Sequence, residues 1–379
     1  MGINKFVNKK IIFVSNTSWY LFNFRLELMK TLMGKGYEVI AVAPYDEYVN
    51  KIEKSGFRFI PIEIDRKKLN PLKDIKFFWS LYNIYKKERP CIVAHYTTKP
   101  NICGAIAAKL TKVKCINTVT GLGWLFIEDN LSSKLAKFLY RISFKYPERI
   151  FFQNEDDLNF FVKNRLVNET KTILVKGSGV NTDFFHPDYC KQFQRNASVN
   201  FLFIGRLLWD KGVGEFVEAA KLLKKTYLNA RFWILGNIDE GNPAGITREK
   251  LKEWEQIGSI EYLDFVDDVR PIICQSDIVV LPSYYREGIP RSLLEAAAME
   301  KPIITTNSIG CKEVVDESIN GFLVPIKDSK ALSGAMKKMI EIGEDRRKQM
   351  GKAGRQKVLN EFDEKKVISK YMEIIEDLL

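Results

Sequence analysis

Short β-rich apolar runs alternate with longer stretches of helical periodicity along almost the whole chain, and no other feature limits its possible folds so strongly. Such alternation is the pattern of βαβ units around a parallel sheet. The first series is KIIFVSN (10–16), EVIAVAP (38–44), FRFIPIEI (57–64), CIVAHY (91–96), KCINTVT (114–120), RIFFQN (149–154) and KTILVKG (171–177). Helical patterns separate these runs, for example NFRLELMKTLMGKG, which Gly34 or Gly36 would end. The rhythm restarts with NFLFIGR (200–206), ARFWILG (230–236), IEYLDFV (260–266), DIVVLPS (277–283), KPIITTN (301–307) and GFLVPI (321–326). Between the two series lies the polar stretch FHPDYCKQFQRNASVN, with Pro187 after an extended segment. The pattern predicts two doubly wound α/β domains, residues 1–187 and 200–379, joined by a linker at 188–199. A length of 379 residues fits two domains, because single cores stop growing below that size. Helical patterns from Ser329 onward finish the chain, and the C-terminal helix is a candidate to pack back on the first domain.

The basic opening MGINKFVNKK is followed only by the apolar Ile11–Val14 before polar Ser15 and Asn16, too short for a secretion signal. No later segment reaches the ~20 apolar residues of a membrane span, and Phe6 stands where a myristoylation signal has Ser or Thr. A cytoplasmic protein is expected. Cys91, Cys103, Cys115, Cys190, Cys274 and Cys311 form no C-x-x-C pair, and His95 and His186 are the only histidines. Neither a zinc site nor a disulfide framework is expected, and the thiols read as small buried apolar groups in a reducing compartment.

The net charge of +12 is distributed unevenly. Residues 1–190 carry 30 Lys and Arg against 18 Asp and Glu, whereas residues 191–379 carry 29 against 29. The first half is thus directed toward an anionic partner: phosphate, nucleic acid or an acidic membrane face.

In the second half, NFLFIGR runs straight into LLWDKGVGEFVEAAKLL, an amphipathic helix after a glycine-containing turn. Gly205 would let the backbone approach a ligand, and Arg206 and Lys211 place two cations at a strand's carboxyl end and a helix start, where a diphosphate fits. Taken alone, the same residues equally describe a turn glycine beside two solvated cations. A second cluster, SYYREGIPRSLLEAAAMEKPIIT, puts Glu287 in a loop, Pro290 at a helix start and Glu295 on that helix. Eight helical residues separate the carboxylates by up to about 12 Å, too far for a glycosidase pair but suited to two ends of one long ligand. Amides around Gly288, Ile289, Arg291 and Ser292 form an anion site at the helix start. Without Arg206 and Lys211, the carboxylates could be plain surface residues.

The segments GRLLWDKG, FVDDV, LPSYYREGIPRSLLEAAAMEKPIIT and GCKEVVDESINGFLV together resemble the retaining glycosyltransferases of family 4, whose E-x7-E element corresponds to Glu287 and Glu295. The likeness extends to YTTKPNICGAIAAKL, VTGLG and VKGSGVNTDFF, which are similar to the branch extending polyprenyl-diphosphate-linked bacterial glycans, and within it to N-acetylgalactosaminyltransferases. The resemblance implies a GT-B fold, two Rossmann-like domains facing a cleft. By matching position it implies that Arg206 and Lys211 bind the donor diphosphate, that Glu287 contacts the donor sugar and that Glu295 holds the ribose. It also implies that backbone at Phe265 and Val266 meets the base, while Gly205 and the stretch Gly288, Ile289, Pro290, Arg291, Ser292 and Leu293 line the sugar and phosphates. Preorganised cations and amides would stabilise the leaving diphosphate, so neither a metal nor another cofactor is expected. No convincing D-x-D motif is present, and Asp156-Asp157 and Asp267-Asp268 read as turn or cap residues. One departure stands out: where many members have a histidine facing the reaction centre, this chain has Thr120, followed by Gly121 and Gly123.

Acceptor-side candidates are Asn16, Trp19, Tyr20 and Arg25 in the first loop, the group His95, Lys99 and Asn101, and Thr120, Gly121 and Gly123. Core packing accounts equally well for Trp19, Tyr20 and His95. Residues 66–89 interleave basic and aromatic side chains, and Lys134, Lys137, Arg141 and Lys145 recur at helical spacing beside an apolar stripe of Leu131, Leu135, Phe138 and Ile142. A basic amphipathic surface suits the anionic inner leaflet, though for each helix alone a core-facing stripe with a solvated basic face serves as well. The expected activity is transfer of a hexosamine, GalNAc in alpha linkage, from a UDP-sugar to an undecaprenyl-diphosphate-linked sugar by a peripheral inner-membrane enzyme. A GT-B sugar-nucleotide epimerase and a non-catalytic sugar-nucleotide-binding protein are the alternatives; nucleic acid is not an expected partner, because no binding module accompanies the charge.

Overall fold

The computed structural model describes residues 9–65, 70–122, 131–194, 198–239 and 242–379, without the side chains of 131 and 132. Gly123 and residues 66–69 of the basic-aromatic stretch lie outside the described residues. The chain forms two compact units, one of residues 1–178 with 365–379 and one of residues 179–364.

In the first unit the elements are β1 (Lys10–Val14), α1 (Ser18–Gly34), β2 (Glu38–Ala43), α2 (Val49–Lys54), β3 (Arg58–Pro61), α3 (Pro71–Glu88), β4 (Ile92–Tyr96), a π-turn Pro100–Gly104, α4 (Ala105–Thr111), β5 (Lys114–Val119), α5 (Leu131–Ser143), β6 (Arg149–Phe152), α6 (Glu155–Lys163) and β7 (Thr172–Leu174). The second has β8 (Val199–Ile204), α7 (Val213–Lys224), β9 (Ala230–Leu235), α8 (Arg248–Gln256), β10 (Glu261–Tyr262), α9 (Arg270–Gln275), β11 (Ile278–Leu281), α10 (Arg291–Ala298), β12 (Ile303–Thr306), β13 (Gly321–Val324), α11 (Ser329–Glu341) and α12 (Gly343–Glu361). A last helix, α13 (Glu364–Leu378), returns to the first unit.

Every strand pair is parallel, in the orders β3-β2-β1-β4-β5-β6-β7 and β10-β9-β8-β11-β12-β13. Strands covered on both faces must be apolar throughout, which explains the continuous runs. In β1, Ile11 and Phe13 pack toward α1 and α13, while Ile12 and Val14 pack toward α3 and α4. Side-chain caps start several helices: Thr17 accepts from the Tyr20 amide, Asn70 from Lys73 ahead of Pro71, and Asn154 from Asp157.

Helix α13 is fixed by Tyr371, whose ring stacks on Phe151 at 4.0 Å and whose hydroxyl bonds Thr118 Oγ1 at 2.6 Å. Residues 188–199, the expected linker, fall inside the second unit, where the one-turn helix Pro187–Gln192 packs on α9. There Cys190 and Cys274 form a disulfide across a Cα separation of 4.9 Å. This corrects the expectation of no disulfide: the partners lie 84 residues apart and meet only through tertiary packing, which spacing does not reveal. Among the described residues no helix is long and apolar enough to cross a membrane, and no group of three or more His, Cys, Asp or Glu could hold a metal ion.

Candidate active site

In each sheet the strand order reverses once, between β1 and β4 in the first unit and between β8 and β11 in the second. Crevices at the carboxyl ends of such strands are where α/β sheets bind ligands.

At the β8/β11 reversal the loops after both strands are stapled together. The Asp210 carbonyl accepts from the amides of Tyr284 and Tyr285 at 3.0 and 2.9 Å, and Gly212 (φ 78) lies so close to Pro282 that a Cβ there would overlap its carbonyl. The staple puts Lys211, after β8, against Glu287, after β11. Lys211 Nζ donates to Glu287 Oε1, and the two side chains are only 11% and 12% exposed. Ser283 Oγ donates to the same carboxylate oxygen at 3.1 Å. Pairing in such a dry place strengthens the attraction and makes either charge costly to leave alone.

Around this pair Tyr285 presents its ring to both cations, 5.2 Å from Lys211 Nζ and 5.9 Å from the Arg206 guanidinium. Arg206 is half-exposed and 3.7 Å from Asp239. Gly288, Ile289 and Pro290 are buried, Pro290 caps α10, and the helix opens on Arg291, Ser292 and Leu293, the Leu293 amide donating to the Pro290 carbonyl at 3.2 Å. Arg291 Nε donates to Glu295 Oε1 at 3.0 Å. Burial pushes the Glu295 carboxyl up from its ordinary range, against the pull of Arg291.

Phe265 is exposed and Val266 half-buried after β10, in a loop locked by the Tyr262 hydroxyl, whose single proton is shared between the Gly236 carbonyl and Asp264 Oδ1, 3.0 Å from each. Asp268 accepts from the Arg270 side chain at 2.7 Å and from its backbone at 3.0 Å, a cap at the start of α9. Gly205 itself is not crowded. The crowded glycine is Gly236 (φ 154), where a Cβ would overlap the Gly205 carbonyl oxygen. Gly310 (φ 87) likewise backs the loop after β11, with a Cβ falling 2.6 Å from Gly288 O and 2.7 Å from Glu287 Cβ. Motif spacing missed both; the only sequence signal was a glycine directly after ARFWIL and another before Cys311.

At the β1/β4 reversal the acceptor-side candidates divide. Tyr20, Arg25, His95 and Asn101 are buried. Arg25 donates to Tyr20 OH at 2.9 Å and lies over the Tyr96 ring at 4.7 Å, with Tyr371 on another side, so it serves the core of α1, β4 and α13. His95 Nδ1 bonds Asn117 Oδ1 and Nε2 bonds Tyr85 OH, both at 2.8 Å, and its ring fills the space a side chain on Gly104 would take. Since Asn117 Oδ1 only accepts, Nδ1 carries the proton and Tyr85 donates to Nε2. Burial holds this imidazole down to a pKa of about 4, hence neutral, and it cannot line an open site.

Asn16, Lys99, Thr120 and Gly121 are half-buried, Trp19 is 41% exposed, and Gly121 has φ 109. Lys99 pairs with Asp74 at 2.6 Å. The strands' carboxyl ends also carry four buried polar atoms with no protein partner: Ser15 Oγ after β1, Tyr96 OH and Thr97 Oγ1 at the end of β4, and Asn101 Oδ1 in the π-turn. Thr97, although β-branched, sits at φ 70. Such strain and desolvation each cost free energy that the packing around them must offset.

On α5 and the turn that follows it the core face is Ser133, Ala136, Tyr140 and Phe144. Leu135 and Phe138 of the expected stripe are 45% and 57% exposed, among Lys134, Arg141 and Lys145. Helix α3 similarly exposes Leu72, Ile75 and Trp79 beside Lys73 and Lys76.

Two doubly wound units with this cation–carboxylate constellation define the GT-B glycosyltransferases as a class. Residues 198–341 match the family of glycosyl transferases group 1, and residues 10–154 match glycosyl transferase 4-like domains. One relative, the N,N'-diacetylbacillosaminyl-diphospho-undecaprenol alpha-1,3-N-acetylgalactosaminyltransferase of Campylobacter jejuni, is 31% identical over 98% of this chain and 99% of its own. The UDP-Gal:alpha-D-GlcNAc-diphosphoundecaprenol alpha-1,3-galactosyltransferase of Escherichia coli is 28% identical over 81% of each. Among solved structures, a Rickettsia africae glycosyltransferase superimposes with a TM-score of 0.78 at 23% identity, covering 98% of both chains. Anabaena HepE with UDP and glucose also gives 0.78, at 16% identity over 97% of this chain and 99% of that one. The chain belongs to the group 1 glycosyl transferases and is a glycosyltransferase.

Proposed function

We propose that this glycosyltransferase moves GalNAc, in alpha linkage and with retention, from UDP-GalNAc to a sugar carried on undecaprenyl diphosphate, in assembly of a bacterial surface polysaccharide or glycan. The observation that carries the reading is the buried Lys211–Glu287 pair at the β8/β11 reversal, with Arg206 beside it. The bond from the anomeric carbon to the diphosphate oxygen breaks, and its electron pair leaves with UDP. The acceptor hydroxyl oxygen bonds the same face of that carbon and its proton goes to the departing phosphate. Lys211, Arg206 and the leading amides of α10 stabilise the growing negative charge, so the reaction runs without a metal or other cofactor. Glu287 orients Lys211 and accepts from a donor-sugar hydroxyl; Glu295 accepts from the ribose; the Phe265–Val266 backbone meets the base.

The acceptor enters at the β1/β4 reversal, where Asn16, Thr97, Thr120 and Trp19 supply hydroxyls, an amide and an exposed ring for sugar. The Campylobacter jejuni relative supports both substrates by its name. The exposed apolar residues of α3 and α5, each set among cations, support attachment to the anionic inner face of the plasma membrane. The test is incubation with UDP-GalNAc and a defined undecaprenyl-diphosphate-linked N-acetylhexosamine. UDP release and a lipid heavier by one N-acetylhexosamine are expected. Conversion of the donor without acceptor, or no product across a panel of UDP-hexoses and UDP-hexosamines, refutes the reading.

A further inference from the structure

A groove of about 340 Å³ opens on the first unit where the end of α5 meets the loop after α6. Four cations line it: Arg141 from α5, Lys145 from the turn after α5, Arg165 after α6, and Lys171 before β7. None of them forms an ion pair with a described carboxylate, whereas Lys10, Arg58, Lys99, Lys211, Arg231 and Arg270 all do. Lys171 is held in place, its ammonium donating to the carbonyls of Lys145 and Pro147 at 2.8 Å each, and the Arg141 guanidinium donates to the Asn164 carbonyl at 3.2 Å. An ammonium has three donors and a guanidinium five, so both retain donors for a ligand. Gathered along one groove, the four like charges repel one another. An anion seated among them would offset that repulsion.

The neighbourhood selects the kind of anion. One turn back on the same face of α5 stands Phe138, more than half exposed, with Leu135 beside it. A soluble phosphate has no use for these apolar side chains, but a lipid with a phosphate head and acyl tails matches both halves of the surface. We propose that the groove of Arg141, Lys145, Arg165 and Lys171 is a binding site for the phosphodiester headgroup of an anionic phospholipid, with Phe138 and Leu135 entering the acyl region. The assignment rests on the membrane-attached reading above, narrowing it from a charged surface to a headgroup site.

The full chain is tested by flotation with vesicles of phosphatidylcholine alone and of phosphatidylcholine with phosphatidylglycerol. No sugar nucleotide or acceptor is present, so the outcome is separate from that of the transfer assay. The parent protein is expected to float only with phosphatidylglycerol. Each cation near a surface contributes about fivefold, so Arg141→Gln/Arg165→Gln weakens binding about thirtyfold. Arg141→Lys/Arg165→Lys, which keeps both charges, restores it to within about threefold. A control of equal charge change, Lys330→Gln/Lys352→Gln on α11 and α12, stays within about twofold. Unaltered far-UV circular dichroism checks that each variant is folded. Equal losses in the two Gln pairs, undiminished binding of the groove variant, or flotation with phosphatidylcholine alone overturns the proposal. Thermal stabilisation by inorganic phosphate at matched ionic strength that disappears in the groove variant while its vesicle binding persists overturns it in favour of a free-phosphate site.

Discussion

His95 offers a stringent test of the first unit, because its environment fixes a number. The imidazole is fully enclosed between Asn117 and Tyr85, and burial lowers its pKa from 6.5 to about 4, with the Asn117 hydrogen bond opposing weakly. The folded state therefore prefers neutral histidine, and the stability this confers is present above about pH 6.5 and lost as pH falls toward about 4. The fall from 6.5 to about 4 makes the full loss about 3 kcal/mol, of which about 2 kcal/mol has gone by pH 5. His95→Gln removes the titration. The mutant will be less stable than the parent at pH 7, by about 1–3 kcal/mol for the imperfectly replaced hydrogen bonds, but the gap will close between pH 6.5 and 4. Urea unfolding at several pH values measures it. With only two histidines in the chain, the ring-proton NMR signals follow His95 directly beside His186. Parallel pH–stability curves for the two proteins, or a His95 signal titrating near 6.5, would refute the reasoning and reopen His95 as a group facing ligand.

Lys211→Ala and Glu287→Ala each should lower kcat by about 10²–10³, the usual cost of one preorganised electrostatic group, in initial-rate assays of UDP release. Rates within threefold of the parent in both would reject their assignment. Gly236→Ala drives a Cβ into the Gly205 carbonyl and should reduce stability by about 1–3 kcal/mol while raising the donor KM; an unchanged melting temperature and KM would count against the close approach. Thr97→Gly relieves the left-handed backbone and should raise stability by about 1 kcal/mol. If Thr97 Oγ1 meets acceptor, the same change raises the acceptor KM and leaves the donor KM alone; a rise in neither separates strain from binding.

The strands were legible in the sequence because a parallel sheet covered on both faces demands unbroken apolar runs, and β1 to β13 fall on the runs so identified. Side-chain partnership was less legible. Glu287 and Lys211 stand 76 positions apart, and only the strand reversal between β8 and β11, with the Asp210 carbonyl tying their loops, makes them neighbours. Family resemblance pointed to both residues, but spacing did not tell that they pair. The amphipathicity of α5 was visible while its orientation was not. Periodicity locates an apolar stripe, and it took the packing of Tyr140 and Phe144 inward to show that Phe138 points out. His95 reads in sequence as a polar residue near a strand end; its enclosure depends on Gly104 and on Asn117 of the next strand.

The two reversals carry opposite kinds of incompleteness. At β8/β11 the charged groups already hold one another: Lys211 with Glu287, and Arg291 with Glu295. On the proposed reading, holding the cation in place before a diphosphate arrives would spare reorganisation during transfer, Lys211 exchanging part of its bond to Glu287 for phosphate oxygens. At β1/β4 it is neutral hydroxyl and amide atoms of Ser15, Tyr96, Thr97 and Asn101 that lack protein partners, each a desolvation cost of about 1–3 kcal/mol. A charged ligand suits the first arrangement and a ligand rich in hydroxyls the second. A donor diphosphate and an acceptor sugar differ in that same way, which is the ground on which we propose one substrate for each unit.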